Sequence, residues 1–345
     1  MKRIGIICPS EIAFRRFLPA LKEADCFEYA GVAIAIKEEF VGATDEILAR
    51  ERAKARTFVD SYGGKIYDGY RNLIESNDID AVYLPLPPGL HYQWAKVALA
   101  AGKHILVEKP CTTALANTHD LLQEAGNKQL AVHENYMFAF HDQLKAVNDI
   151  VASGEIGDVR LYRVSFGFPM RAQNDFRYNK ALGGGALLDC GGYTLKYASM
   201  LLGPTTKIKY AQSNYIDGFG VDMYGSATLV NDEGVTVQVA FGMDHNYKCE
   251  LEVWGSKGTL YTNRILTAPA GLVPEVIIRK GNDQERRCLP ADDAFKKSIL
   301  HFAQCIEDTA VRQENYNTLM KQAQLVESFK EMSGLNNQAT EQLSK

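Results

Sequence analysis

Three groups of residues in this chain carry side chains suited to chemistry. The run His104-Ile105-Leu106-Val107-Glu108-Lys109-Pro110 reads as an apolar strand that stops abruptly in an acid, an amine and a proline. In an open parallel sheet, ligands bind beyond the carboxyl ends of the strands, which is where Lys109 would sit. Its ammonium could donate to a substrate oxygen and stabilise charge developing there. The proline fixes the chain direction and favours an unusual peptide geometry at Lys109-Pro110. A second group is Leu182-Gly183-Gly184-Gly185-Ala186-Leu187-Leu188-Asp189-Cys190-Gly191-Gly192-Tyr193. Asp189 and Tyr193 are four apart and share one helical face. A carboxylate beside a phenol can bind a substrate hydroxyl and pass a proton to the neighbouring oxygen. The glycine run before them would let the backbone approach a ligand closely. Arg177, in Asn174-Asp175-Phe176-Arg177, is a further candidate substrate contact.

The third group lies in the first turn, Gly5-Ile6-Ile7-Cys8-Pro9-Ser10-Glu11-Ile12-Ala13. A strand, a tight turn and a helix form a site for a dinucleotide pyrophosphate, which the helix N-terminus meets with free N–H groups and a positive dipole end. The spacing of that fingerprint falls on Gly5, Cys8, Ser10 and Ala13, of which one is glycine. The replacements are small and leave room for the pyrophosphate, and Ser10 offers it a hydroxyl. At the end of the second strand an acidic residue selects NAD and a basic one accommodates the 2′-phosphate of NADP. Here the strand ends in Lys37-Glu38-Glu39. Lys37 at the selecting position favours NADP, Glu38 favours NAD, and the third possibility is that all three are solvated loop charges.

The elements that must position these groups follow from the apolar pattern. Arg3–Cys8, Tyr29–Ile36, Ala81–Leu84 and His104–Glu108 read as buried strands, with a weaker one at Gln129–His133. Helices are expected over about 11–24, 45–61, 90–101 and 115–127. This alternation marks a doubly wound parallel sheet with helices on both faces, an α/β Rossmann domain over 1–133. Pro85-Leu86-Pro87-Pro88-Gly89 breaks the chain after the third major strand. Beyond the turn-rich Ser153–Asp158, longer half-alternating strands are expected at Val159–Phe168, Lys207–Asn214, Met223–Val230, Val235–Phe241 and Lys248–Trp254. With helices at about 186–202, 293–309 and 314–332, residues 134–335 read as an α+β domain with a large open, mostly antiparallel sheet for substrate binding and oligomerisation. A polar tail over 336–345 is expected to fray.

The bulk properties exclude several classes. A net charge of −4 over 345 residues gives no electrostatic reason to expect nucleic acid or an anionic membrane as partner. No run of eighteen apolar residues is present to span a bilayer. The N-terminus lacks the apolar core and cleavage site of a secretory signal, so the cytoplasm is the expected compartment. Seven scattered cysteines form no C-x-x-C pair, which argues against both a disulfide framework and a zinc site. No metal is expected. Cys190 is expected to pack. His133, His141 and His245 have no ligand-like spacing and are expected to be satisfied polar residues.

From Tyr62-Gly63-Gly64-Lys65-Ile66-Tyr67-Asp68, through Ile79–Tyr83, Pro87-Pro88-Gly89-Leu90-His91 and Ala98–His104, to Glu108-Lys109-Pro110, the sequence resembles the glucose–fructose oxidoreductase / inositol dehydrogenase (Gfo/Idh/MocA) family, and the likeness extends over nearly the whole chain. That resemblance implies a nicotinamide-dependent oxidoreductase in which Lys109, Asp189 and Tyr193 are catalytic. Cofactor contacts are then expected from Gly5, Cys8, Ser10, Ile12, Lys37, Leu86, His91, Glu108, Lys109 and Asn135. Substrate contacts are expected from Lys109, Arg177, Asp189 and Tyr193. Ile12-Ala13-Phe14-Arg15-Arg16-Phe17-Leu18-Pro19-Ala20 is similar to the sugar-nucleotide 3-ketoreductases. The implied activity is NADPH-dependent reduction of a ketone on a nucleotide-linked sugar, with NAD as the other possible cofactor. Two alternatives remain at this point: an NAD-dependent dehydrogenase of a free sugar, cyclitol or dihydrodiol, and a non-catalytic dinucleotide-binding regulator. A sugar or sugar-nucleotide substrate and a homodimer or homotetramer complete the expectation.

Overall fold

The computed structural model describes residues 1–40 and 43–335, so the expected polar tail lies outside the described residues. The chain divides into two compact units, one of Met1–Tyr136 with Phe295–Met320, the other of Met137–Ala294 with the residues from Lys321 onward.

The first unit alternates strand and helix. In order these are β1 (Lys2–Ile7), α1 (Leu18–Ala24), β2 (Phe27–Ile34), α2 (Asp45–Tyr62), β3 (Lys65–Asp68), α3 (Tyr70–Glu75), β4 (Ala81–Leu84), α4 (His91–Ala100), β5 (His104–Glu108), α5 (Leu115–Asn127) and β6 (Val132–Asn135). The strands pair in parallel in the order β3-β2-β1-β4-β5-β6. This is the Rossmann order, and its direction reverses between β1 and β4, where ligands bind beyond the strand ends. β1, β4 and β5 read as apolar runs because they lie inside the sheet, and Ile4, Ile6, Val82, Tyr83, Ile105 and Val107 are fully buried. The weak strand expected at Gln129–His133 is displaced to Val132–Asn135, so His133 lies within it.

The second unit contains α6 (Asp142–Ala152), β7 (Val159–Gly167), α7 (Gly192–Leu202) and the strands β8 (Lys207–Asn214), β9 (Tyr224–Val230), β10 (Thr236–Gly242), β11 (Lys248–Gly255), β12 (Thr259–Asn263), β13 (Glu275–Lys280) and β14 (Asp283–Cys288). They form one sheet in the order β14-β13-β12-β11-β7-β10-β9-β8, antiparallel except where β7 meets β10. α7 packs on β7 and β10 with Leu195, Tyr197 and Ala198 buried. The last helices are α8 (Ala294–Glu307) and α9 (Thr309–Ser333).

Phe295–Met320 therefore belong to the first unit rather than continuing the second. Their apolar side chains explain this: Phe302 stacks on Phe27 at 5.5 Å, and Phe295 meets the edge of Phe17 at 6.4 Å. Tyr316 donates to the carbonyl of Leu130.

The parallel sheet depends on one glycine in particular. Gly31 has φ +149°, and a Cβ there would lie 2.1 Å from the carbonyl oxygen of Lys65 on β3. The neighbour is backbone in a paired strand and cannot move aside cheaply. Gly31→Ala should cost about 3 kcal/mol of first-unit stability, read by urea unfolding. An unchanged midpoint would show that the β2–β3 pairing does not need the close approach.

Candidate active site

The carboxyl end of β5 is held by part-buried hydrogen bonds on one side of Lys109 and buried ones on the other. Glu108 Oε1 accepts from the Tyr83 hydroxyl of β4 at 2.6 Å and from Asn135 Nδ2 of β6 at 2.7 Å. Burial pushes the Glu108 carboxyl up, while these two donors and the Lys109 charge pull it back. Beyond the lysine, the Lys109–Pro110 peptide is cis, as the sequence suggested. The Cys111 N–H donates to Glu134 Oε1 at 2.7 Å. Lys109 is thus mounted on a rigid strand end beside a half-buried acid.

Two residues expected to touch the cofactor are instead buried inside the first unit. His91 has no exposed surface, and its ring nitrogens lie 2.8 Å from the Pro110 carbonyl and 2.7 Å from the Leu86 carbonyl. Burial, with the Lys109 charge adding to it, pushes the imidazole down to about 4, against the two carbonyls, which favour a protonated ring. It ties the loop after β4 to the loop after β5. Asn135 is also fully buried, and its amide is spent on Glu108 and on the Ser298 hydroxyl, which donates to Oδ1 at 2.8 Å. Both residues act from behind the strand ends.

The first turn compensates for its missing glycines. Cys8 adopts φ +80°, the left-handed conformation a glycine would take, and its N–H donates to the Ala33 carbonyl at 3.1 Å. Its thiol is pushed up to about 12 by burial and is inert. A Cβ on Gly5 would lie 2.7 Å from the end of the Leu73 side chain, which would have to shift to admit it. Ser10 Oγ accepts from Ala13 N–H at 3.2 Å and so caps the following helix, which opens with a π turn over Ala13–Phe17. Ile12 is exposed at its start.

At the end of β2 a cavity of 420 Å³ is lined by Ile34, Ala35, Ile36, Lys37, Glu38, Leu48, Ala49, Arg52 and Asp68. Lys37 pairs with Asp45 at 2.7 Å and Arg52 with Asp68. Two cations at the rim suit a phosphate-bearing ribose. Arg52 was not singled out from the sequence, because it reads as one more charge on the exposed face of α2. Glu39, the third residue of the acidic pair's loop, is structural: it accepts from Tyr70 N–H at 2.7 Å and Arg71 N–H at 2.9 Å, capping α3.

In the second unit, Asp189 lies in a π turn, Leu187–Gly191, that leads directly into α7. Such turns are rare and frequent at functional sites. Arg177 Nε donates to Asp189 Oδ2 at 2.7 Å, and its Nη1 pairs with Asp175 at 3.1 Å. Arg177 therefore fixes the carboxylate in orientation. Tyr193 is largely buried, packed between Phe138 at 5.6 Å and Phe166 at 5.3 Å. Cys190 is fully buried, with its thiol donating to the Ala186 carbonyl, as expected of a packing residue.

The glycine run serves the protein itself. A Cβ on Gly184 would lie 2.4 Å from the Arg177 carbonyl oxygen, and one on Gly185, at φ +120°, 2.2 Å from Asp222 Oδ1. Asp222 Oδ2 accepts from Leu187 N–H at 2.7 Å and caps the turn that carries Asp189. Nothing in the sequence marks Asp222, which lies 35 residues from its partner.

A Rossmann sheet with a lysine at the end of β5, joined to an α+β unit carrying an aspartate and a tyrosine on one helix, defines a nicotinamide-dependent oxidoreductase. Residues 2–136 match the oxidoreductase family with an NAD-binding Rossmann fold, and residues 144–261 match the GFO/IDH/MocA C-terminal domain. The chain belongs to the GFO/IDH/MocA family. It is 38% identical over 328 residues to dTDP-3,4-didehydro-2,6-dideoxy-alpha-D-glucose 3-reductase of Actinomadura kijaniata, covering 95% of this chain and 94% of that one. The enzyme of the same name from Streptomyces violaceoruber is 37% identical, covering 96% of each chain. The crystal structure of a 3-ketoreductase from Actinomadura kijaniata with NADP and TDP-benzene superposes with a TM-score of 0.87 at 37% identity, covering 96% of this chain and 97% of that one. No helix among the described residues is long and apolar enough to cross a membrane.

Burial pushes the Asp222 carboxyl up to about 6. Its folded value lies above the ordinary unfolded one near 4, so its contribution to stability is present below about pH 4 and is lost as pH rises through about 6. Thermal midpoints of the wild type and Asp222→Asn should diverge over that window, with the wild type falling relative to the variant as pH rises. Parallel curves would contradict the buried cap.

Proposed function

We propose that this protein uses NADPH to reduce the C3 ketone of a deoxysugar linked to a nucleoside diphosphate. The observation that carries the reading is a shared spacing within overall similarity. The Actinomadura kijaniata 3-ketoreductase has been crystallised with a lysine replaced by alanine and, separately, with a tyrosine replaced by phenylalanine. The separation of those two positions in its chain is the separation of Lys109 and Tyr193 here.

When bound, NADPH supplies a hydride from its nicotinamide C4. The turn at Gly5, Cys8 and Ser10, with Ile12 at the start of the next helix, receives the pyrophosphate. Lys37 and Arg52, released from Asp45 and Asp68, would receive the 2′-phosphate, and the Leu86 loop and Glu108–Lys109 would border the nicotinamide. The Lys109 ammonium donates to the ketone oxygen, which gains negative charge as the carbon accepts the hydride. Tyr193 gives that oxygen its proton, so that ketone, hydride and proton become a secondary alcohol. Asp189, oriented by Arg177, accepts a hydrogen bond from a neighbouring sugar hydroxyl. The exposed Tyr210, Tyr224 and Trp254 on the sheet of the second unit support a homodimer or homotetramer formed through that surface, and a cytoplasmic location accords with a nucleotide-sugar substrate.

The test is turnover of a dTDP-linked 3-keto-2,6-dideoxyhexose with NADPH or NADH. NADPH should be preferred, and Lys37→Glu should weaken its binding about tenfold, the loss of one charged contact. Lys109→Ala should lower kcat by about 10²–10³-fold with NADPH binding retained. Equal use of NADH, or near-full turnover by Lys109→Ala, would overturn the reading.

A further inference from the structure

Behind the end of β5 runs a connected set of largely buried hydrogen bonds that the reaction does not use directly. Asn135 bridges Glu108 and Ser298, and Ser298 Oγ lies 2.9 Å from His133 Nε2. His133 Nδ1 lies 2.9 Å from Asn315 Oδ1, and Asn315 Nδ2 donates to the Val132 carbonyl at 2.7 Å. His133, Asn135, Ser298 and Asn315 are all buried, so each contact must pair a donor with an acceptor or leave a polar group unsatisfied.

Counting protons along this set leaves few choices. The Val132 carbonyl only accepts, which fixes Asn315 Nδ2 against it and Oδ1 against His133. His133 Nδ1 must therefore carry a proton. At the other end a Glu108 carboxylate only accepts, which fixes Asn135 Nδ2 against it and Oδ1 against Ser298. The serine proton is then spent on Asn135, and Ser298 Oγ can only accept from His133. Nε2 must carry a proton as well. A second pattern turns the Asn135 amide over and places a proton on Glu108. In either pattern Glu108 and His133 together hold one proton, and the Asn135 orientation with Nδ2 toward Glu108 places it on His133.

We propose that His133 is a buried imidazolium that balances the Glu108 carboxylate through Asn135 and Ser298, making it a positioning residue for the strand end that carries Lys109. The surrounding groups agree with this assignment. On α8, His301 meets the His133 ring at 5.2 Å, and burial holds its imidazole down, so it adds no charge. On β5, His104 accepts from Ala131 N–H and is pushed down to about 4 by burial. The Arg312 cation of α9 donates to the carbonyls of Cys305 and Ile306, each at 3.1 Å. Glu314, on the same helix, acts on His301. Glu134, the next residue on β6, accepts from Cys111.

The ring's protonation rests on the first unit's geometry; its effect on turnover rests on the ketoreductase reading. The test is ¹⁵N NMR of the histidine-labelled full chain, with the His133 signals assigned by loss in His133→Gln. At pH 7 both His133 ring nitrogens should be protonated, and Ser298→Ala, which breaks the set in the middle, should move the ring's titration midpoint at least tenfold in proton concentration toward lower pH. Glu108→Gln should act in the same direction. A wild-type ring with one protonated nitrogen at pH 7, or a midpoint unmoved by both variants, would overturn the proposal whatever the substrate proves to be.

Discussion

The structure depends on holding one short strand end still. β5 terminates beside the reversal point of the parallel sheet, and the lysine that follows is useful only if its backbone does not drift. The protein meets that demand with buried hydrogen bonds rather than with bulk packing alone. Tyr83 and Asn135 hold the acid on one side of Lys109, and His91 holds Pro110 on the other. Each of these partners comes from a different element, so the strand end is fixed by β4, β6 and α4 together. The cost is a set of buried polar groups that must all be satisfied at once, because a half-satisfied set would be worse than an apolar core. Ser298 of α8 and Asn315 of α9 complete it, which gives the return of Phe295–Met320 to the first unit a purpose beyond covering Phe27 and Phe17.

The second unit solves a similar problem in a different way. Asp189 is aimed by an ion pair with Arg177, and the turn that carries it is capped by a buried carboxylate, Asp222. Glycines at 184 and 185 allow the backbone of Arg177 and the side chain of Asp222 to come that close. The glycine-rich stretch is therefore read correctly as a place of close approach, but what approaches is the protein. Arg177, a candidate substrate contact, also orients Asp189.

Legibility in the sequence followed burial. β4, β5 and β8 were read with the bounds they have, because each is an apolar or alternating run between clear breakers. β3 and α3 were missed: they are four and six residues long and leave no periodic signature. β14 was missed because Asp283–Cys288 is a largely exposed strand of charged residues with no alternation to see. Lys109, Asp189 and Tyr193 were singled out through motif and resemblance. The residues that hold them were not. Asp222, Ser298 and Asn315 act across 35 to more than 160 residues of chain, and a lone aspartate, serine or asparagine carries no local signal of such a partner. Cys8 shows the converse. It breaks the glycine fingerprint in sequence yet takes the glycine's left-handed conformation in the fold, so the turn survives the substitution.

The central claim is that the hydride of a bound nicotinamide goes to a sugar carbon whose oxygen faces Lys109. The most direct measurement is to run the reaction with NADPH deuterated at C4, one face at a time, and locate the label in the dTDP-sugar product by NMR. The account requires one deuterium at sugar C3, delivered from one face of the nicotinamide and absent when the other is labelled. Label lost to solvent, or found at any other carbon, would contradict it.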